Sequence, residues 1–117
     1  MLALLYEQAE DNAEATRFLD VLLFRRYAAK LDYELELWAD FEHAPDYAPK
    51  YAERLRAATG FRYAPEDALL DLDDAFYAAR YLRAWQLEST LREQLISRFD
   101  IDWFRNPRSG PFVLALL

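Results

Sequence analysis

From about Asp11 to Phe41 the chain contains neither proline nor glycine, and its apolar positions return at spacings of three and four: Phe18, Leu19, Leu22, Leu23, Tyr27, Leu31, Leu35 and Trp38. That is the period of a helix with a face turned to a core. Asp11 or Asn12 is placed to cap its start, with Glu14 positioned to reach back. At about 1.5 Å per residue such a helix would be ~45 Å long, more than a small domain requires. One end should therefore overhang or pack on something else. The alternation from Tyr33 to Leu37 would also suit a short strand.

Pro45 and Pro49 then break the helix, since each removes a backbone donor and restricts its predecessor. A second helix is expected from Pro49 to Ala58, with Gly60 able to take a left-handed cap. Phe61 to Ala64 reads as an extended connector, and Pro65 opens a short turn through Leu70. A third helix is expected from near Asp71 or Asp73 to about Phe99. Its first half is apolar around most of its circumference, as in a central buried helix. The tail carries a turn through Arg108-Ser109-Gly110-Pro111 and an apolar end, Phe112 to Leu117, suited to one last short helix. The expected fold is an all-α helical bundle with two long antiparallel helices clasped by short ones, in a single domain over 1–117.

Composition adds a surplus. Of 117 residues, 54% are hydrophobic and 16% aromatic, enough apolar surface to exclude disorder. A chain this short hides a limited share of its surface, so some of the surplus should seek a homo-oligomeric or other protein partner. The net charge of -7 is the wrong sign for nucleic acid or an anionic membrane. The apolar start Met1-Leu2-Ala3-Leu4-Leu5 is soon interrupted by Glu7, Glu10 and Asp11, and no basic stretch precedes it. It does not read as a signal peptide, and no run approaches the ~20 apolar residues of a membrane helix. A cytoplasmic protein is expected. Twelve of the fourteen cationic side chains are arginines, which suit partly buried pairing with carboxylates.

Candidate chemistry is sparse. His43 is the sole histidine, in a proline-rich turn, and no HExxH pair exists, so no metal ligand set is identified. Asp71, Asp73 and Asp74 could attract a hard cation, but capping of the third helix is the favoured reading. Without cysteine, a hydroxyl beside a histidine, or a glycine-rich loop, no catalytic residue and no cofactor site is identified. The third helix instead presents Asp73, Tyr77, Arg80, Ala84, Glu88 and Leu91 on one face. Arg80 and Arg83 should meet acids there, with Asp73, Glu34 and Glu36 as candidates, and Arg25-Arg26 could meet Glu88. Either Arg25, Arg26, Asp73, Arg83 and Glu88 form ion pairs that fix helix register, or Tyr77, Arg80 and Tyr81 line a substrate-binding groove.

The stretch Asp73-Asp74-Ala75-Phe76-Tyr77-Ala78-Ala79-Arg80-Tyr81-Leu82-Arg83-Ala84-Trp85 resembles the Tyr-rich C-terminal helix of zinc metallopeptidases of the thimet oligopeptidase and oligoendopeptidase F type. A longer match, from Arg26-Tyr27-Ala28-Ala29-Lys30-Leu31 to Gly110-Pro111-Phe112, resembles the C-terminal end of larger bacterial relatives. The resemblance implies that Tyr77 and Tyr81 would donate hydrogen bonds to a peptide and its tetrahedral intermediate. The zinc helix and its downstream glutamate are absent, and Arg80 stands where that family usually has glycine. Zinc would enter only if a missing lobe supplied its ligands, and oxyanion donors without an activated water have nothing to stabilise.

Three functions follow as expectations. The chain is a non-catalytic module equivalent to the substrate-facing lobe of such a peptidase, acting by association with itself or a partner. Alternatively it is half of a split metallopeptidase, offering Tyr and Arg donors to a peptide held by a zinc-bearing chain. The third is a helical protein that holds an apolar ligand between its helices.

Overall fold

The computed structural model describes the backbone of residues 2–116 and the side chains of residues 10–116. Four α-helices are present and, among the described residues, no strand: α1 (Leu2–Ala39), α2 (Ala48–Thr59), α3 (Tyr77–Phe99) and α4 (Ser109–Leu114). The chain is all-α, as the periodicity indicates. It gathers into two compact units, Met1–Leu82 and Arg83–Leu117, where the sequence suggests one domain.

In the first unit, α1 starts nine residues ahead of the expected cap, so Asp11 and Asn12 lie inside the helix. It ends at Ala39, where Asp40 leaves helical geometry (φ -139°, ψ 50°) ahead of the Pro45 turn. Pro49 falls in the first turn of α2, and Gly60 closes it at φ 80°, its N–H donating to the Arg56 carbonyl at 2.8 Å. That left-handed conformation favours glycine because it carries no Cβ.

The core of this unit is the C-terminal half of α1 packed on α2. Tyr33 and Leu37 of α1 meet Tyr51 and Leu55 of α2, with Ala44, Tyr47 and Ala68 from the flanking turns completing the cluster. Tyr33 and Tyr51 pack edge to face, centroids 5.2 Å apart, and the Tyr33 hydroxyl donates to the Ala68 carbonyl at 3.3 Å. The helix packed on this half of α1 is therefore α2. The other half of α1 overhangs, as its length predicts. From Glu10 to Phe24 every side chain is exposed except the half-buried Leu22.

Helix α3 begins at Tyr77, later than expected, because Ala75 (φ 51°) and Phe76 (φ 55°) adopt left-handed backbone conformations that end any continuous helix through Asp73. Such conformations are uncommon for residues with a Cβ. Its first half is covered in part: Ala78 is buried, Ala79, Leu82 and Trp85 are half-buried, and Tyr77, Arg80, Tyr81, Arg83, Ala84 and Leu87 are exposed. In the second unit Leu95 and Phe99 of α3 and Ser109 of α4 are buried, and Phe99 packs edge to face on Phe112. Asp100 (φ 73°) closes α3 with its N–H on the Ile96 carbonyl at 2.9 Å. Aspartate is among the few residues that tolerate this cap conformation. Helix α4 starts at Ser109, three residues earlier than expected, with Pro111 accommodated in its first turn.

Leu55 is fully buried between α1 and α2. Leu55→Ala should lower stability by about 2–5 kcal/mol, read as a shift of the urea midpoint with unchanged slope.

Candidate functional site: a buried lysine among carboxylates

Lys30 lies on α1 one turn before Glu34, on the face that carries Tyr33 and Leu37 into the core. It is 4% exposed and Glu34 is 0% exposed. A buried ammonium persists only if paired, and this one is paired three times. Its Nζ is 2.8 Å from Asp73, 3.4 Å from Asp71 and 3.8 Å from Glu34. Both aspartates arrive on the connector after α2, which turns inwards instead of starting a helix. Arg26, one turn before Lys30, donates to both Asp71 oxygens at 2.7 Å, and the Tyr51 hydroxyl donates to Asp71 Oδ2 at 2.8 Å. The Asp73 backbone N–H donates to Glu34 Oε1 at 2.9 Å. Three acids thus share two cations.

The surplus of negative charge falls on Glu34. Burial pushes its carboxyl above the ordinary value, and the nearby Asp73 and Asp71 add to this against the pull of the Asp73 N–H and Lys30. Its Oε2, like Asp73 Oδ2, is buried without a hydrogen-bond partner in the structure. Asp71 behaves oppositely. Burial favours its neutral form, but the hydrogen bonds from Arg26 and Tyr51 outweigh this and hold it below the usual carboxylate range. Burial and the bond to Asp71 push the Tyr51 hydroxyl up, so it stays a donor at neutral pH.

Of the side chains expected in ion pairs, Arg26 and Asp73 meet in this cluster, each through a partner that the sequence pattern does not assign. Arg25, Arg83 and Glu88 are exposed and make no ion pair among the described residues. Glu36, offered as a partner for Arg80 or Arg83, pairs with Arg54 of α2 at 2.8 Å, and Arg54 also reaches Asp32 at 3.3 Å. Asp71 and Asp73 do not cap α3; they hold the ammonium of Lys30 in the place where a cation was considered. No group of metal-ligating side chains is found among the described residues. His43 is an exposed turn residue, with Nδ1 2.7 Å from Asp40, and that contact raises its pKa.

Tyr77, Arg80 and Tyr81 do share one surface. The Tyr77 and Tyr81 rings pack edge to face at 5.2 Å, Tyr81 stacks on Tyr27 of α1 at 4.7 Å, and the Arg80 guanidinium lies 5.5 Å from the Tyr77 ring centre. The Tyr81 hydroxyl is pushed up, first by its hydrogen bond with Tyr77. One open depression of about 450 Å³ lies beside Arg56, Arg62 and Tyr63, and another of about 460 Å³ beside Glu93, Arg98 and Phe112.

The other large feature is apolar. Phe18, Leu19, Val21, Leu23 and Phe24 of α1 are 39–59% exposed. A helix segment that is apolar all round is normally a buried one. Of the apolar chain ends, Met1 to Leu5 and Leu117 lie outside the side chains described, and Leu114 and Leu116 are exposed. Among the described residues no helix is long and apolar enough to cross a membrane. Compared with family models, with curated proteins and with solved structures, the chain matches none.

The charge cluster sets how stability responds to substitution and to pH. Lys30→Met leaves three buried or half-buried carboxylates facing one cation, and should cost about 3–5 kcal/mol in urea unfolding at pH 7. Glu34 has a folded-state pKa above its ordinary 4.5, so its contribution is complete below that value and is lost as pH rises through the raised one. Asp71 contributes above its ordinary 3.8, and its share is lost as pH falls through the lowered value. Glu34→Gln removes only the first dependence. Relative to the unaltered protein it should therefore gain stability as pH rises from the ordinary 4.5 through the raised value and level off beyond it, measured by urea titrations from pH 4 to pH 8.

Proposed function

We propose that this chain is a non-catalytic helical module that acts by association, with itself or with a protein partner, in a cytoplasmic setting. The observation that carries the reading is the run from Phe18 to Leu23, four of whose six residues are large, apolar and at least 39% exposed. Monomeric proteins seldom leave contiguous apolar patches of this kind uncovered. The polar machinery argues the same way. The titratable side chains that are brought together around Lys30 are engaged with one another in ion pairs that hold the connector on α1.

A second reading rests on the Tyr77, Arg80 and Tyr81 surface and on the resemblance to the Tyr-rich helix of the oligopeptidases. On this reading the chain is the substrate-facing part of a zinc peptidase whose metal ligands lie on another chain. Tyr77 and Tyr81 are 44% and 39% exposed and would be available to a peptide. Peptide cleavage by a reconstituted mixture with a zinc-bearing chain should then fall on Tyr77→Phe or Tyr81→Phe; unchanged cleavage would remove this reading.

For the first reading, light scattering coupled to size exclusion should show a mass that rises with concentration above 13.8 kDa, or co-elution with a partner. A constant monomer mass with no binding of a hydrophobic dye is the outcome that would sink it.

A further inference from the structure

Within the exposed half of α1, four side chains form a stripe whose charges are arranged symmetrically. Glu14, Phe18, Val21 and Arg25 are spaced four, three and four apart, so at 100° per residue they lie within about 60° of one another around the helix. All four are exposed, and neither Glu14 nor Arg25 makes an ion pair among the described residues. The stripe lies well round the helix, roughly 120°, from the face on which Arg26, Lys30, Tyr33 and Leu37 enter the core, so folding of the first unit leaves it uncovered.

From either end, the stripe has two apolar residues at its centre and a charge at each end, and the two end charges are opposite. Resting on the reading that the module associates, we infer that its partner at this face is a second copy of the same chain, with the two α1 helices antiparallel about a two-fold axis between Phe18 and Val21. In that arrangement residues whose numbers sum to 39 lie opposite each other. Phe18 meets Val21 of the second copy, Glu14 meets Arg25, and both contacts occur twice. The three-four spacing is that of a coiled-coil seam, in which apolar side chains insert between those of the facing helix. A two-fold contact of this kind is closed, because each copy uses the same patch. A parallel pairing would set Glu14 on Glu14 and Arg25 on Arg25, and like charges would oppose it. The two Glu14–Arg25 pairs also neutralise the seam locally, although each chain carries a net charge of -7.

Charge reversal tests the register without touching the core. Glu14→Arg alone would set two arginines against each other at each end, and Arg25→Glu alone two glutamates. Each single variant should weaken self-association at least about 10-fold, measured by analytical ultracentrifugation, with unchanged helical circular dichroism. An equimolar mixture of the two single variants should recover the dimer as a heterodimer. There the two substituted side chains face each other as one opposite-charge pair, and the unaltered Glu14 and Arg25 face each other as the second. The double variant E14R/R25E should recover the dimer within one species. If the unaltered chain stays a monomer at every accessible concentration, the self-association underlying this inference is overturned. If it dimerises but the single variants dimerise equally well, or their mixture recovers nothing, the antiparallel register is overturned while self-association stands.

Discussion

An ammonium group with 4% exposure, held at 2.8 to 3.8 Å from three carboxylates, is the constraint on which the first unit depends. Desolvating Lys30 would be prohibitive without those contacts, and the contacts require Asp71 and Asp73 to leave the surface. The connector after α2 is accordingly drawn in across α1. Asp73 is fixed twice, through its carboxylate on Lys30 and its N–H on Glu34, and the backbone then passes through two left-handed residues before α3 can start. The late start of α3 is thus tied to the pairing of one lysine.

The cluster also divides α1 into two halves with different roles. From Arg26 onwards the helix is committed to packing, its apolar residues against α2 and its charges against the connector. From Glu10 to Leu23 the helix is as apolar, and every side chain but the half-buried Leu22 is exposed. A helix of 38 residues, about 57 Å long, reaches beyond the short α2 that packs on it. The overhanging half follows from that mismatch of lengths, and it supplies the surface on which association is proposed.

The tyrosines show how the same residue type is put to different uses. Tyr33 and Tyr51 lie in the core with their hydroxyls satisfied by Ala68 and Asp71. Tyr77 and Tyr81 sit at the surface in a ring contact that includes Tyr27 and carries Arg80 over one face. A buried tyrosine must find an acceptor, and the acceptors of the first pair, Ala68 and Asp71, fix both rings in the core.

Local chemistry was enough to determine the helices themselves. Three-four periodicity marks α1 and α3, Pro49 and Gly60 bound α2, and the length of α1 implies an overhang, because these depend on residues within a few positions of each other. The glutamate-arginine stripe on α1 is equally local and can be read from spacing alone. The partner of each charge was decided only by the tertiary structure. Lys30 is one of two lysines among fourteen cations and lies in an ordinary helical context, so nothing near it in sequence distinguishes it from the arginines expected to be buried. Two of its three partners are about forty residues away, at Asp71 and Asp73, whose local pattern is that of helix caps. Capping and pairing with a distant ammonium compete for the same carboxylates, and the second prevails because a buried charge costs more to leave unpaired than a helix end exposed to water.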